Sequence, residues 1–324
     1  MKERYDEFDL MKGMGIILVY LGHSFNIYGV PGNEFFSYLY RTTYSFHMHL
    51  FFFISGFLLN TKQEISLKKF YAGKIKRLLI PYLFINFIDG TLRTLFPNLV
   101  NSSFEGIKEV LFYGTKISWF VYSLLIIFII FPFIEKYILR KDKYYLFGIF
   151  LLVINISGIT EKIKIFSLSA VSFYSIYFYL GYILKPYYKE KISLKITEKK
   201  YFILLGIIFL VFSYKYFFIN TFTKILFALL GIIFVLNISK RLKKESKIYN
   251  FLEFCGKNSL IFYLIEGFIT VVYRVILIRT IPLEYSYIFV TTFLILRVAT
   301  AYLVIIFIIL KSRVLCFLFG TKIG

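Results

Sequence analysis

The chain has 324 residues, 59% of them hydrophobic and 22% aromatic, with 39 Lys and Arg against 18 Asp and Glu and a formal net charge of +21. Globular domains run near half apolar; here the excess is spread along the chain in runs of about twenty residues, the length that crosses a bilayer, which excludes a water-soluble domain. The positive charge lies between those runs, where cytoplasmic loops concentrate Lys and Arg, so it excludes nucleic acid as a partner, and Cys255 and Cys316, with no Cys or His at ligand spacing, indicate neither a disulfide framework nor a metal site.

The apolar runs give ten expected spans, at 8–27, 44–59, 78–96, 117–134, 144–159, 167–184, 201–214, 222–238, 260–278 and 287–310. With the N-terminus inside, 28 of the 39 Lys and Arg fall in or beside the inner segments, 9 at the outer ends, and Arg93 and Arg297 within spans. That alternation supports both the number and the orientation. The fold expected is an all-α, polytopic transmembrane helix bundle of about ten helices, one domain over 1–324, with N- and C-termini cytoplasmic. The first segment lacks a small-residue cleavage site and reads as a retained helix. No internal repeat of the kind that marks many transporters is visible. The wealth of Lys, Ile, Phe and Tyr suits an AT-rich bacterial genome, which places the chain in a bacterial cytoplasmic membrane.

The first span, FDLMKGMGIILVYLGHS at 8–24, opens with Asp9 and Lys12 on one face and carries His23 about 20 Å further along the helix. A titratable ring at that depth is a candidate functional group, although such histidines also serve as hydrogen-bond donors between helices. In a carbonyl-transfer reaction His23 would be a general base toward an attacking hydroxyl. Gly13, Gly15 and Gly22 allow another backbone to come close.

The second span opens FHMHLFFFISGFLL at 46–59. Two residues apart on a helix, His47 and His49 point to different sides, which argues against a chelating pair. An interfacial position accounts for each, and His47 is also a candidate for contacting an acceptor. At the third span, KIKRLLIPYL at 74–83 places Lys74 and Arg77 on one face, with Pro81 permitting a bend. Ordinary positive-inside charge explains them; the functional alternative is a grip on phosphates. Trp119, in WFVYSLL at 119–125, suits an interfacial belt or the wall of an acceptor site. The ninth span follows GKNSLIFYL at 256–264 and carries Glu266 near mid-membrane, at a depth similar to Arg297 on the tenth. Opposite charges there are expected to pair. Asp89 and Arg93, four apart, can pair along one helix.

Taken together and in this order, the five segments resemble the acyltransferase 3 family of integral membrane O-acyltransferases, over the chain from near its start to about residue 265. The resemblance implies transfer of an acyl group, usually acetyl, from cytoplasmic acyl-CoA to a hydroxyl of an extracytoplasmic carbohydrate. It assigns the essential first-helix histidine to His23; Asp9, the acid at the opening of the same helix, is counted with it as a candidate catalytic residue. Lys74 and Arg77 take the place of the basic pair that engages the CoA donor, and Lys12 stands where arginine is usual. Glu266 takes the approximate place of a histidine that often closes the late motif, and joins Trp119 and His47 as a candidate acceptor contact. His23 would act as base or as transient acyl acceptor. Acetyl-CoA is the expected donor and no metal is expected. The lipid bilayer and a carbohydrate acceptor are the expected partners. The alternative reading is a transporter or exporter of polysaccharide or lipid-linked sugar, its buried charges lining a path; a catalytically silent relative is a third.

Overall fold

Inside a bilayer each backbone N–H and C=O has to be satisfied within the chain, and all regular elements of the computed structural model are accordingly helical. The structure describes residues 5–26, 34–59, 66–96, 104–139, 143–188, 203–204, 206–209, 211, 220–280 and 286–322, with no strand among them. Six helices there are long and apolar enough to cross a membrane: Leu67–Leu95, Trp119–Tyr137, Ile165–Tyr187, Thr221–Arg241, Ser259–Leu277 and Tyr287–Ile309. They coincide with the third, fourth, sixth, eighth, ninth and tenth expected spans. The expected span at 201–214 lies largely outside the described residues. The fifth is a helix of only 14 residues, Tyr144–Ser157, about 21 Å long. The second, expected at 44–59, is the helix His47–Phe57 of 11 residues, and a separate helix, Glu34–Tyr44, precedes it.

The chain gathers into two compact units, Met1–Leu58 with Leu180–Phe307, and Leu59–Tyr179 with Ile308–Gly324. In the first unit α1 (Asp6–Asn26) is the centre, touched by α2 (Glu34–Tyr44), α3 (His47–Phe57) and four helices from late in the chain. Phe8, Leu10, Met11, Ile16, Val19 and Tyr20 are all buried, so α1 is covered on nearly every face. The closest neighbour is the short helix Lys247–Lys257, capped by Ser246, whose hydroxyl accepts the Tyr249 N–H at 3.1 Å. A methyl group on Gly13 would lie 2.0 Å from the Leu252 carbonyl oxygen, and one on Gly256 1.7 Å from that of Asp9. The two backbones therefore touch through glycine. Gly15 and Gly22, expected to admit a backbone, instead face side chains, those of Leu50 and Phe51 and that of Tyr44. At the Asp6 end Phe8 stacks on Phe57 at 4.2 Å, and Tyr188 donates a 2.8 Å hydrogen bond to Glu7. Burial and that carboxylate push the Tyr188 phenol above its ordinary range.

In the second unit, α4 (Leu67–Lys74) runs into α5 (Ile80–Leu95) through one widened turn, Ile75–Leu79. Proline has no N–H for the carbonyl four residues back; just before Pro81 the ladder shifts register and the Ile80 N–H reaches the Ile75 carbonyl. The expected Asp89–Arg93 pair is present, and Glu109 adds a second carboxylate to Arg93 at 3.2 Å. The start of α6 (Trp119–Tyr137) is tied to α5 by a buried amide: Asn86 donates to Ser118 at 2.9 Å and accepts from Thr115.

Candidate active site

The helices that position His23 all belong to the first unit. α7 (Tyr144–Ser157) and α8 (Leu168–Leu184) precede α9 (Thr221–Arg241) and α10, the short helix Lys247–Lys257; α11 (Ser259–Thr280) and α12 (Ser286–Val304) follow. Along α1, Tyr20, His23 and Ser24 fall within one turn. On α11, Glu266 and Thr270 are four apart, and Arg297 comes from α12.

His23 Nδ1 lies 2.9 Å from Glu266 Oε2. The other carboxylate oxygen, Oε1, accepts from Arg297 Nη1 at 2.5 Å and from the Thr270 hydroxyl at 2.7 Å. Arg297 is fully buried and has further partners: Nη1 donates to Thr270 Oγ1 at 2.7 Å, and Nη2 to the Ser24 hydroxyl at 2.7 Å and to the Tyr20 carbonyl. The Phe293 ring covers its guanidinium at 4.1 Å. Tyr20 closes the arrangement by donating to the Phe262 carbonyl at 2.9 Å.

A carboxylate only accepts, so the ring nitrogen facing Glu266 carries the proton, and Nε2 is left as the second nitrogen of His23. The side chains of Glu266 and Arg297 are 6% and 0% exposed, that of His23 39%. One face of the imidazole is thus anchored to a buried ion pair and the rest is open. The expected pairing of Glu266 with Arg297 is present. Missing from the sequence reading are the bond from Glu266 to His23 and the parts of Tyr20, Ser24 and Thr270.

The other expected site residues are distributed differently. Asp9 bonds Lys12 at 2.7 Å and stands about 20 Å along α1 from His23, beyond the hydrogen-bond reach that proton transfer requires. Asp9 is therefore not assembled with His23. His47 and His49, expected at an interface, are buried at 3% and 5% exposure because α3 is enclosed on nearly all sides. His47 Nδ1 donates to the Thr43 carbonyl at 2.8 Å. Lys74, Arg77 and Trp119 belong to the second unit. The Lys74 ammonium sits over the Phe128 ring at 3.2 Å from its centroid, while Arg77 is exposed. Trp119 is half-buried, its ring 5.4 Å from that of Tyr174. Among the described residues no group of three or more His, Cys, Asp or Glu could hold a metal ion.

Six apolar helices of spanning length and a histidine set on a buried ion pair define a multi-pass membrane protein with a built polar centre. Residues 5–311 match the family model described as an acyltransferase domain, and the chain belongs to that family, acyltransferase 3. Among curated proteins it is similar to nodulation protein NolL of Mesorhizobium japonicum (strain LMG 29417 / CECT 9101 / MAFF 303099), 34% identical over 132 residues that make up 38% of this chain and 34% of NolL. The match thus spans about a third of that relative's length. No solved structure matches the chain.

Proposed function

We propose that this protein is a membrane O-acyltransferase, one domain over 1–324, that moves an acyl group, acetyl first among them, from cytoplasmic acyl-CoA to a hydroxyl of a cell-surface or lipid-linked carbohydrate. The bacterial cytoplasmic membrane is the proposed location, with both termini on the cytoplasmic side. The observation that carries the reading is the contact between His23 and Glu266 in a chain of the acyltransferase 3 family.

His23 is the general base. With Nδ1–H held by Glu266, Nε2 presents its lone pair to the acceptor hydroxyl. As the hydroxyl oxygen bonds to the acyl carbonyl carbon, Nε2 takes the hydroxyl proton and Glu266 steadies the imidazolium. The carbon–sulfur bond then breaks, and the proton held on Nε2 goes to the departing thiolate. Bound acyl-CoA supplies the thioester and its phosphates. Lys12, Lys74 and Arg77 suit the phosphates by charge, and the exposed guanidinium of Arg77 fits bidentate contact. Asp9 holds Lys12 in place at that end of α1. Trp119 remains a proposed acceptor contact, whereas His47, enclosed and bonded to the Thr43 carbonyl, is set aside. Glu266, first considered with them, acts instead on His23.

The test uses protein in nanodiscs with acetyl-CoA labelled in the acetyl group and glycans extracted from the host surface, wild type beside His23→Ala. Transfer of label to glycan only with His23 intact is the expected result. Equal transfer by the two proteins overturns the role of His23, and no transfer by well-folded wild type moves the assignment to a transporter of the same glycans.

A further inference from the structure

Arg297 is a costly residue to hold in a membrane helix, and a pairing partner alone would explain its retention. Its surroundings show more than a pair. Four groups from two other helices receive its protons: Glu266 and Thr270 on α11, and the Ser24 hydroxyl and Tyr20 carbonyl on α1. Because the planar fork is rigid, contacts to α1 and α11 at once fix the distance between the two helices that carry His23 and Glu266. Both Arg297 and Thr270 bind Oε1, which leaves Oε2 as the oxygen turned to His23 Nδ1.

We propose that Arg297 is a positioning residue for acyl transfer: it holds the Glu266 carboxylate ionised with Oε2 on His23 Nδ1, so that Nε2 remains the nitrogen open to the acceptor hydroxyl. The inference rests on the reading of His23 as base. It differs from a structural ion pair in what it requires. A structural pair can be replaced by neutral residues of similar size, often without loss of stability, whereas a positioning pair cannot be replaced without freeing the ring.

The chain has three histidines, so 15N-histidine spectra of the protein in nanodiscs resolve the tautomer of His23 directly, once His23→Ala identifies its signals. In wild type a single form with the proton on Nδ1 is expected. In Arg297→Gln, and in the neutral double variant Glu266→Gln/Arg297→Met, the ring becomes a mixture of tautomers. Transfer of labelled acetyl to glycan then falls by at least about tenfold, part of what a well-placed base contributes, while KM for acetyl-CoA stays within about twofold. Arg297→Lys keeps a cation but not the fork and falls between.

A double variant that folds and transfers at the wild-type rate, or an Arg297→Gln protein that keeps the single tautomer, overturns the proposal. If neither neutral variant inserts, the pair is structural and the proposal also falls. Wild-type transfer by His23→Ala would instead remove the base reading, while the spectra of the Arg297 variants still report whether the ring is held.

Discussion

His23 differs from the other two histidines in being open on one side. His47 and His49 are enclosed, and the Nδ1 of His47 is spent on the Thr43 carbonyl, whereas His23 is anchored by a carboxylate and exposed beyond it. Replacing Glu266 by Gln keeps the volume but substitutes a neutral amide, which can bond either tautomer of the ring. Transfer from acetyl-CoA is expected to fall by about 100-fold in Glu266→Gln, within the range of lost base catalysis, with KM for the donor little changed. A rise in KM at constant kcat would instead make Glu266 a binding residue. Cys255 and Cys316 are buried thiols, and burial pushes Cys255 up to about 12 and raises Cys316. Because the thiolate is the nucleophile and a raised value leaves little of it at pH 8, neither cysteine should take up maleimide in folded protein at that pH. Both should react after unfolding in detergent, and a thiol count with and without SDS reads the difference. Prompt labelling of folded protein would show that α10 or α13 (Arg313–Leu318) opens.

At the level of helices, the site depends on the crossing of α1 and α10. Gly13→Leu drives a side chain into the Leu252 carbonyl, and the helices have to part. Overpacking of this kind costs about 1–3 kcal/mol, expected as a lower melting temperature together with loss of transfer, because displacement of α1 carries His23 away from Glu266. Gly73→Ala is the control: nothing lies within 4 Å of the added methyl in α4, and its melting temperature should stay level or rise slightly. The same crossing explains what was legible in the sequence. Glu266 and Arg297 could be paired on paper because neither charge is tolerable alone in hydrocarbon. The bond from His23 to Glu266 was not, because it depends on register between helices distant in sequence. A signal was present: His23 lies ten residues beyond Gly13, and Glu266 ten beyond Gly256, the glycines at which the backbones touch. Glycine spacing alone does not say which pair will meet. The helix Glu34–Tyr44 went unread for another reason: with Glu34, Ser37, Arg41, Thr42 and Thr43 among its 11 residues, it is too polar to stand out as an apolar run.

For the whole molecule, apolar runs specify that helices cross, and charge specifies which way. Six of the expected spans correspond to long apolar helices, while α1, the helix that carries His23, is too polar to be counted among them: Asp6, Glu7, Asp9, Lys12 and His23 share its 21 residues. Its cost in lipid is offset by enclosure, since its apolar residues are covered by protein and its charges are paired. The proposed direction rests on Lys and Arg, in excess on the side assigned to the cytoplasm. Fusions test that assignment. A fluorescent protein that folds only in the cytoplasm should be bright after residue 322, and alkaline phosphatase, active only outside, should be active when inserted beside Lys162 in the exposed turn that follows α7. The reverse pattern, a dark C-terminal fusion and a silent phosphatase, would invert the molecule. His23 would then lie toward the cytoplasm and the Asp9–Lys12 end of α1 outside. Since acyl-CoA is confined to the cytoplasm, Lys12 could not serve it, and the acceptor would have to be a cytoplasmic precursor instead of a finished surface glycan. The orientation therefore decides which substrate pool His23 can reach, something that the geometry of its ion pair leaves open.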